Sequence, residues 1–153
     1  MPILNNTRRF FSSTRIISGW VGGLFFFMTA CVAVDSGTKN VDKEVTEQWG
    51  IEITSLRMSA GGHMIDFRYR VLDAEKAKPL FIRANKPYLI DEASQKVLSV
   101  PTTAKVGPLR TTGDSKEGRI YWMFFGNGNG LVKAGSKVTV VIGNFRAENL
   151  VVQ

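Results

Sequence analysis

A chain of 153 residues has room for one folded domain, and its single cysteine excludes an intramolecular disulfide and any zinc site built from cysteines. The formal charge of +7 overstates any attraction to nucleic acid, because Arg8, Arg9 and Arg15 precede a long apolar run and leave 17 basic against 13 acidic residues in the rest. No block of lysines or arginines interleaved with stacking aromatics follows residue 40, so no nucleic-acid partner is expected.

Residues 16–34 are nineteen positions without a charge, preceded by the three arginines and followed by Asp35, Lys39 and Asp42. A basic stretch, an apolar stretch and small residues at its end have the order of a secretory signal or membrane segment. Met28-Thr29-Ala30-Cys31 resembles the bacterial lipobox, in which a cysteine closing the apolar run is acylated on sulfur and the signal is cut in front of it. Three fates are open: lipid attachment at Cys31, cleavage after Ala33, or an uncleaved span, since nineteen residues at about 1.5 Å each roughly match the bilayer hydrocarbon. The position of Cys31 favours the lipid, and all three fates place the folded part outside the cytoplasm; the expected location is the periplasm, attached to the inner or the outer membrane. Thr7-Arg8-Arg9-Phe10-Phe11 also resembles the twin-arginine export signal, with Arg15 where a lysine usually stands.

Residues 35–48, DSGTKNVDKEVTEQ, read as a polar tether of mixed charge. From Trp49 the pattern changes to apolar/polar alternation punctuated by turn signals, which predicts an all-β domain over residues 49–153. In HMIDFRYRVLD, Ile65, Phe67, Tyr69 and Val71 share one face and Met64, Asp66, Arg68 and Arg70 the other. The preceding IEITSLRM can pair with it around a loop at residues 59–63, with Ile51 opposite Val71, Glu52 opposite Arg70 and Ile53 opposite Tyr69. KPYLIDEASQKVLSV predicts a second hairpin turning near residues 92–95, and an irregular stretch follows to residue 118. RIYWMFF and SKVTVVIGNFRAENLVVQ supply the remaining strands. Between them, Asn127-Gly128 and Asn129-Gly130 are turn formers, whose spacing does not suit a phosphate loop. Seven or eight short strands fit a small immunoglobulin-like two-sheet sandwich without the cysteine pair.

DFRYRVLD, KPYLIDEA, KVGPLR and KVTVVIGNFRAENLVV are similar to segments of a group of uncharacterised exported bacterial proteins. The resemblance implies a shared small domain and carries no activity, ligand or catalytic residue with it.

With one histidine, His63, and no G-x-S-x-G, the serine and cysteine hydrolase arrangements lack their parts. Asp35-Ser36-Gly37 resembles the aspartic-protease signature, but no strand precedes Asp35 to build the paired-carboxylate site. A copper site is one candidate: the hairpin register above makes Met58 and Met64 cross-strand neighbours beside His63, and thioether and imidazole donors suit Cu(I). A binding surface is the other. RIYWMFF is apolar on both faces, so unless something covers it one aromatic row is exposed, with Tyr121, Met123 and Phe125 as the candidate row. The expected function is that of a non-catalytic binding or accessory module held at the bacterial envelope, with a periplasmic copper-handling protein as the alternative.

Overall fold

Alternation decides the centre of the fold. The computed structural model describes residues 37–153; the apolar run at residues 16–34, Cys31 and Asp35 lie outside them. Strand β2 (Met64–Val71) turns Ile65, Phe67, Tyr69 and Val71 into the core, where β-branched and aromatic side chains pack well on a pleated surface. It is the middle of a three-stranded antiparallel sheet, between β1 (Ile51–Ser59) and a later strand, β7 (Ile120–Gly126). The register at the start of β1 is the one the hydrophobic pattern requires, with Ile51 opposite Val71, Glu52 opposite Arg70 and Ile53 opposite Tyr69.

Between them in sequence come β3 (Tyr88–Asp91) and β4 (Val97–Ser99), then the two-residue strands β5 (Thr102–Thr103) and β6 (Gly107–Pro108). The β3–β4 hairpin turns where the sequence indicates, with Asp91 accepting from the backbone and hydroxyl of Ser94 at 2.9 and 2.6 Å. After β7 come β8 (Lys137–Ile142) and β9 (Phe145–Val151), and the second sheet has the order β4-β3-β8-β9, again antiparallel. Phe67, Tyr69 and Phe125 from the first sheet and Leu89, Val140, Ile142 and Phe145 from the second belong to one buried cluster. The described chain is therefore all-β in character, with two principal sheets sharing one core.

The link from β7 to β8 crosses between the sheets. Asn127, fully buried there, donates from Nδ2 to the carbonyls of Gly62 at 2.9 Å and Val132 at 2.8 Å and accepts from the Val132 N–H at 3.1 Å. Its amide thus holds the crossover to the β1–β2 loop without leaving a buried polar atom unsatisfied. The outer edge of β7 is covered by the irregular stretch, through Thr111 N–H to the Trp122 carbonyl at 2.8 Å and Phe124 N–H to the Leu109 carbonyl at 2.9 Å.

The reading of a polar tether is corrected over residues 37–48. Gly37–Trp49 form a helix, α1, with Val45 only 2% exposed in the core and Trp49 edge-on to Phe145 at 5.6 Å. The sequence signal is the spacing of Val41, Val45 and Trp49, one helical face, diluted by polar residues at the other positions. Gly50 ends α1 with φ +60°, its N–H bonded to the Thr46 carbonyl at 3.1 Å. Among the described residues no helix is long and apolar enough to cross a membrane.

Candidate binding face

Strand β7 is the element whose two faces sequence could not rank. Tyr121, Met123 and Phe125 point into the core, Tyr121 being 1% exposed, so the surface expected of that row is corrected. They are held there by partners. Tyr121 stacks on Tyr69 at 5.9 Å and meets Phe81 edge-on at 4.6 Å, while its hydroxyl donates to the Asp114 carbonyl at 2.7 Å and accepts from the Lys116 N–H at 2.9 Å. Burial, then the neighbouring Tyr121, push the Tyr69 phenol up, with Arg110 pulling the other way, so Tyr69 remains a protonated filler at neutral pH.

The opposite row faces outward. Ile120 is 45% and Trp122 37% exposed, and Phe124, half-buried, lies against Trp122 with ring centroids 5.3 Å apart. Because β2 pairs with β7, this row lies beside Asp66, Arg68 and Arg70: Phe124 is opposite Asp66, Trp122 opposite Arg68 and Ile120 opposite Arg70. One strand further out, Arg57 is opposite Asp66 and Glu52 opposite Arg70. The outer face of the three-stranded sheet is thus the apolar row Ile120, Trp122 and Phe124 bordered by three arginines.

The arginines are arranged by carboxylates. Asp66, 2% exposed although it lies on the outer face, accepts from Arg68 Nε through both oxygens at 3.1 and 3.0 Å and from Arg57 at 3.4 Å. Arg70 reaches Glu52 at 3.0 Å. The hydrogen bond that Arg68 donates to Asp66, then the charge of that carboxylate, raise the pKa of Arg68 above the usual guanidinium range. The exposed Arg70–Glu52 pair contributes at most about 1 kcal/mol to stability, and the guanidinium groups on Asp66 stay open to water, so the ordering of the guanidinium planes matters more than their energy. Planar guanidinium groups beside exposed aromatic rings form the composition favoured at the centres of protein interfaces.

The copper arrangement is also corrected. A β-bulge at Thr54 shifts the pairing by one residue, so Met58 lies opposite Ile65 and Ser59 opposite Met64. An odd shift exchanges the faces: Met58 packs against the core while Met64 stays on the outer side. His63 is exposed in the loop and shares the lining of a shallow depression with Met58 but not with Met64, and Met123 is buried in the core. The three expected donors therefore do not converge. Among the described residues no group of three or more histidine, cysteine, aspartate or glutamate side chains is placed to hold a metal ion. The chain matches no known protein family, no characterised protein and no solved structure.

Proposed function

We propose that the protein is a non-catalytic binding module of the bacterial envelope, an immunoglobulin-like sandwich anchored through Cys31 and recognising a protein partner with the outer face of its three-stranded sheet. The observation that carries this reading is the exposed Trp122, packed on the half-buried Phe124, beside Arg57 and Arg68, which are ordered by Asp66. Solvent exposure of a large aromatic is unfavourable for an isolated domain, and three neighbouring arginines suit a partner surface that is acidic around an apolar centre. The strand order supports the immunoglobulin-like assignment. Without the two-residue strands, the first, second and fifth strands make one sheet and the third, fourth, sixth and seventh the other. The membrane anchor rests on the apolar run and its closing cysteine.

The test is a photo-crosslinking amino acid placed at position 122 or 124 of the full chain in intact cells, with position 137 on the other sheet as control. A discrete protein adduct from 122 and 124, and none from 137, supports the reading. Equal labelling from all three, or lipid adducts only, overturns it.

A further inference from the structure

A concave site lined by other residues is formed around the β3–β4 hairpin. It is a half-open cleft of about 330 Å³ lined by Arg83, Lys86 and Pro87 from the segment before β3, Ser99 and Val100 at the end of β4, and Thr102, Pro108 and Arg110 beyond it. Its size is at the low end of small-molecule sites. Three of the lining residues are cations and none is acidic. Among the described residues none of Arg83, Lys86 and Arg110 forms an ion pair, whereas Arg57, Arg68, Arg70, Lys78 and Arg146 all do.

Three like charges around one concavity repel one another and focus a positive potential into it. The arrangement is held by the backbone. Arg110 is bridged to Met123 of β7, and its guanidinium donates from one nitrogen to the Asn85 carbonyl at 2.9 Å, leaving the other N–H groups of the fork free of that bond. Asn85 is itself tied to the Ile82 and Pro79 carbonyls at 3.0 and 2.9 Å. Ser99 and Thr102 add hydroxyl donors, and Pro87, Val100 and Pro108 form apolar, stiff walls.

We propose that this cleft binds a phosphate monoester. A monoester carries about 1.5 to 2 negative charges at pH 7, which suits three cations better than a single carboxylate does, and offers three oxygens to guanidinium, ammonium and hydroxyl donors. The cleft is large enough to take a short organic body against its proline and valine walls. The cleft shares no lining residue with the Trp122 face.

The test uses the full chain, labelled with nitrogen-15, in neutral detergent micelles. Glycerol 3-phosphate is titrated in one arm and short-chain phosphatidic acid in the other, with amide shifts read at Ser99, Thr102 and Arg110. Saturable shifts in either arm, with affinity about tenfold weaker in Lys86→Gln and in Arg83→Gln and unchanged in Lys137→Gln, are expected. A response to the soluble ester identifies a soluble ligand, and a response to the phosphatidic acid alone identifies a lipid headgroup. Both Lys86 and Arg83 are exposed, so these variants keep the fold. No saturable shift at millimolar ligand in both arms, or equal weakening by Lys137→Gln, overturns the proposal.

Discussion

Arg68 and Asp66, two residues apart on one strand, meet through a guanidinium Nε that reaches both carboxylate oxygens at 3.1 and 3.0 Å on the outer face of the sheet. Residues at i and i+2 share a face of a strand, so the pair is local in sequence, while Arg57 is brought to the same carboxylate only by β1–β2 pairing. Asp66→Asn keeps the shape and removes the charge. We expect a loss of about 1–2 kcal/mol, read as a lower urea midpoint at unchanged slope, because both arginines retain solvent. We also expect weaker partner crosslinking from position 122, since the guanidinium planes lose their common acceptor.

The two rows of β7 should respond oppositely to serine. Trp122→Ser is expected to change stability by no more than about 1 kcal/mol and the half-buried Phe124→Ser by about 1–2 kcal/mol, and both to abolish the partner adduct. Tyr121→Ser and Phe125→Ser should each cost about 3–5 kcal/mol, through a cavity and, at Tyr121, two lost hydrogen bonds. Chemical unfolding of the four variants checks this, and a large stability loss at Trp122 would contradict its exposure.

Gly50 has to be glycine for two independent reasons. Its φ is +60°, and a Cβ there would lie 2.6 Å from Asp73 Cβ, on the residue that caps the short helix α2 (Ala74–Ala77) through Glu75 and Lys76 N–H groups. The Gly50 carbonyl also accepts from Leu72 and Asp73 at 2.7 and 3.0 Å, so the backbone cannot move away freely. Gly50→Ala should cost about 2–4 kcal/mol, measured by urea unfolding.

Asp42 on α1 supplies a pH signature. Burial first, then the charge of Glu52, raise its carboxyl above the ordinary value, so the folded state disfavours the ionised form relative to the unfolded chain. Its contribution to stability is therefore full below the unfolded pKa and declines as pH rises through the folded one. Asp42→Asn should accordingly be the more stable protein at pH 7, by no more than about 0.5 kcal/mol because water screens an exposed carboxylate. The gain should shrink on acidification and in high salt, as thermal melts of the two proteins at several pH values would show.

Copper binding gives the fifth expectation. Since the Thr54 bulge places Met58 and Met64 on opposite faces, the full chain should bind Cu(I) no more tightly than a variant with Met58, His63 and Met64 all changed to alanine. Competition against a Cu(I) chelator measures the difference, and a clear advantage for the unaltered chain would contradict the register.

Local patterning was sufficient wherever one face of a strand is apolar and the other is not. β2 alternates cleanly, which fixed its buried side and its register against Ile51, Glu52 and Ile53, because a one-residue slip would bury Arg68 and Arg70. The turn after Asp91 was equally legible from its side-chain chemistry. Where both faces are apolar, period two gives two rows and no ranking, and the choice of Tyr121 over Trp122 for the core was made by Tyr69 and Phe81, distant in sequence. The bulge at Thr54 left no mark in composition, yet it separated the two methionines. Helix α1 needed a surface for Val45 and Trp49 to bury against, and the basic cleft gathers residues from segments on either side of a hairpin. Local patterning specifies which side chains can share a face. Only packing against the rest of the chain decides which face turns inward and which residues meet.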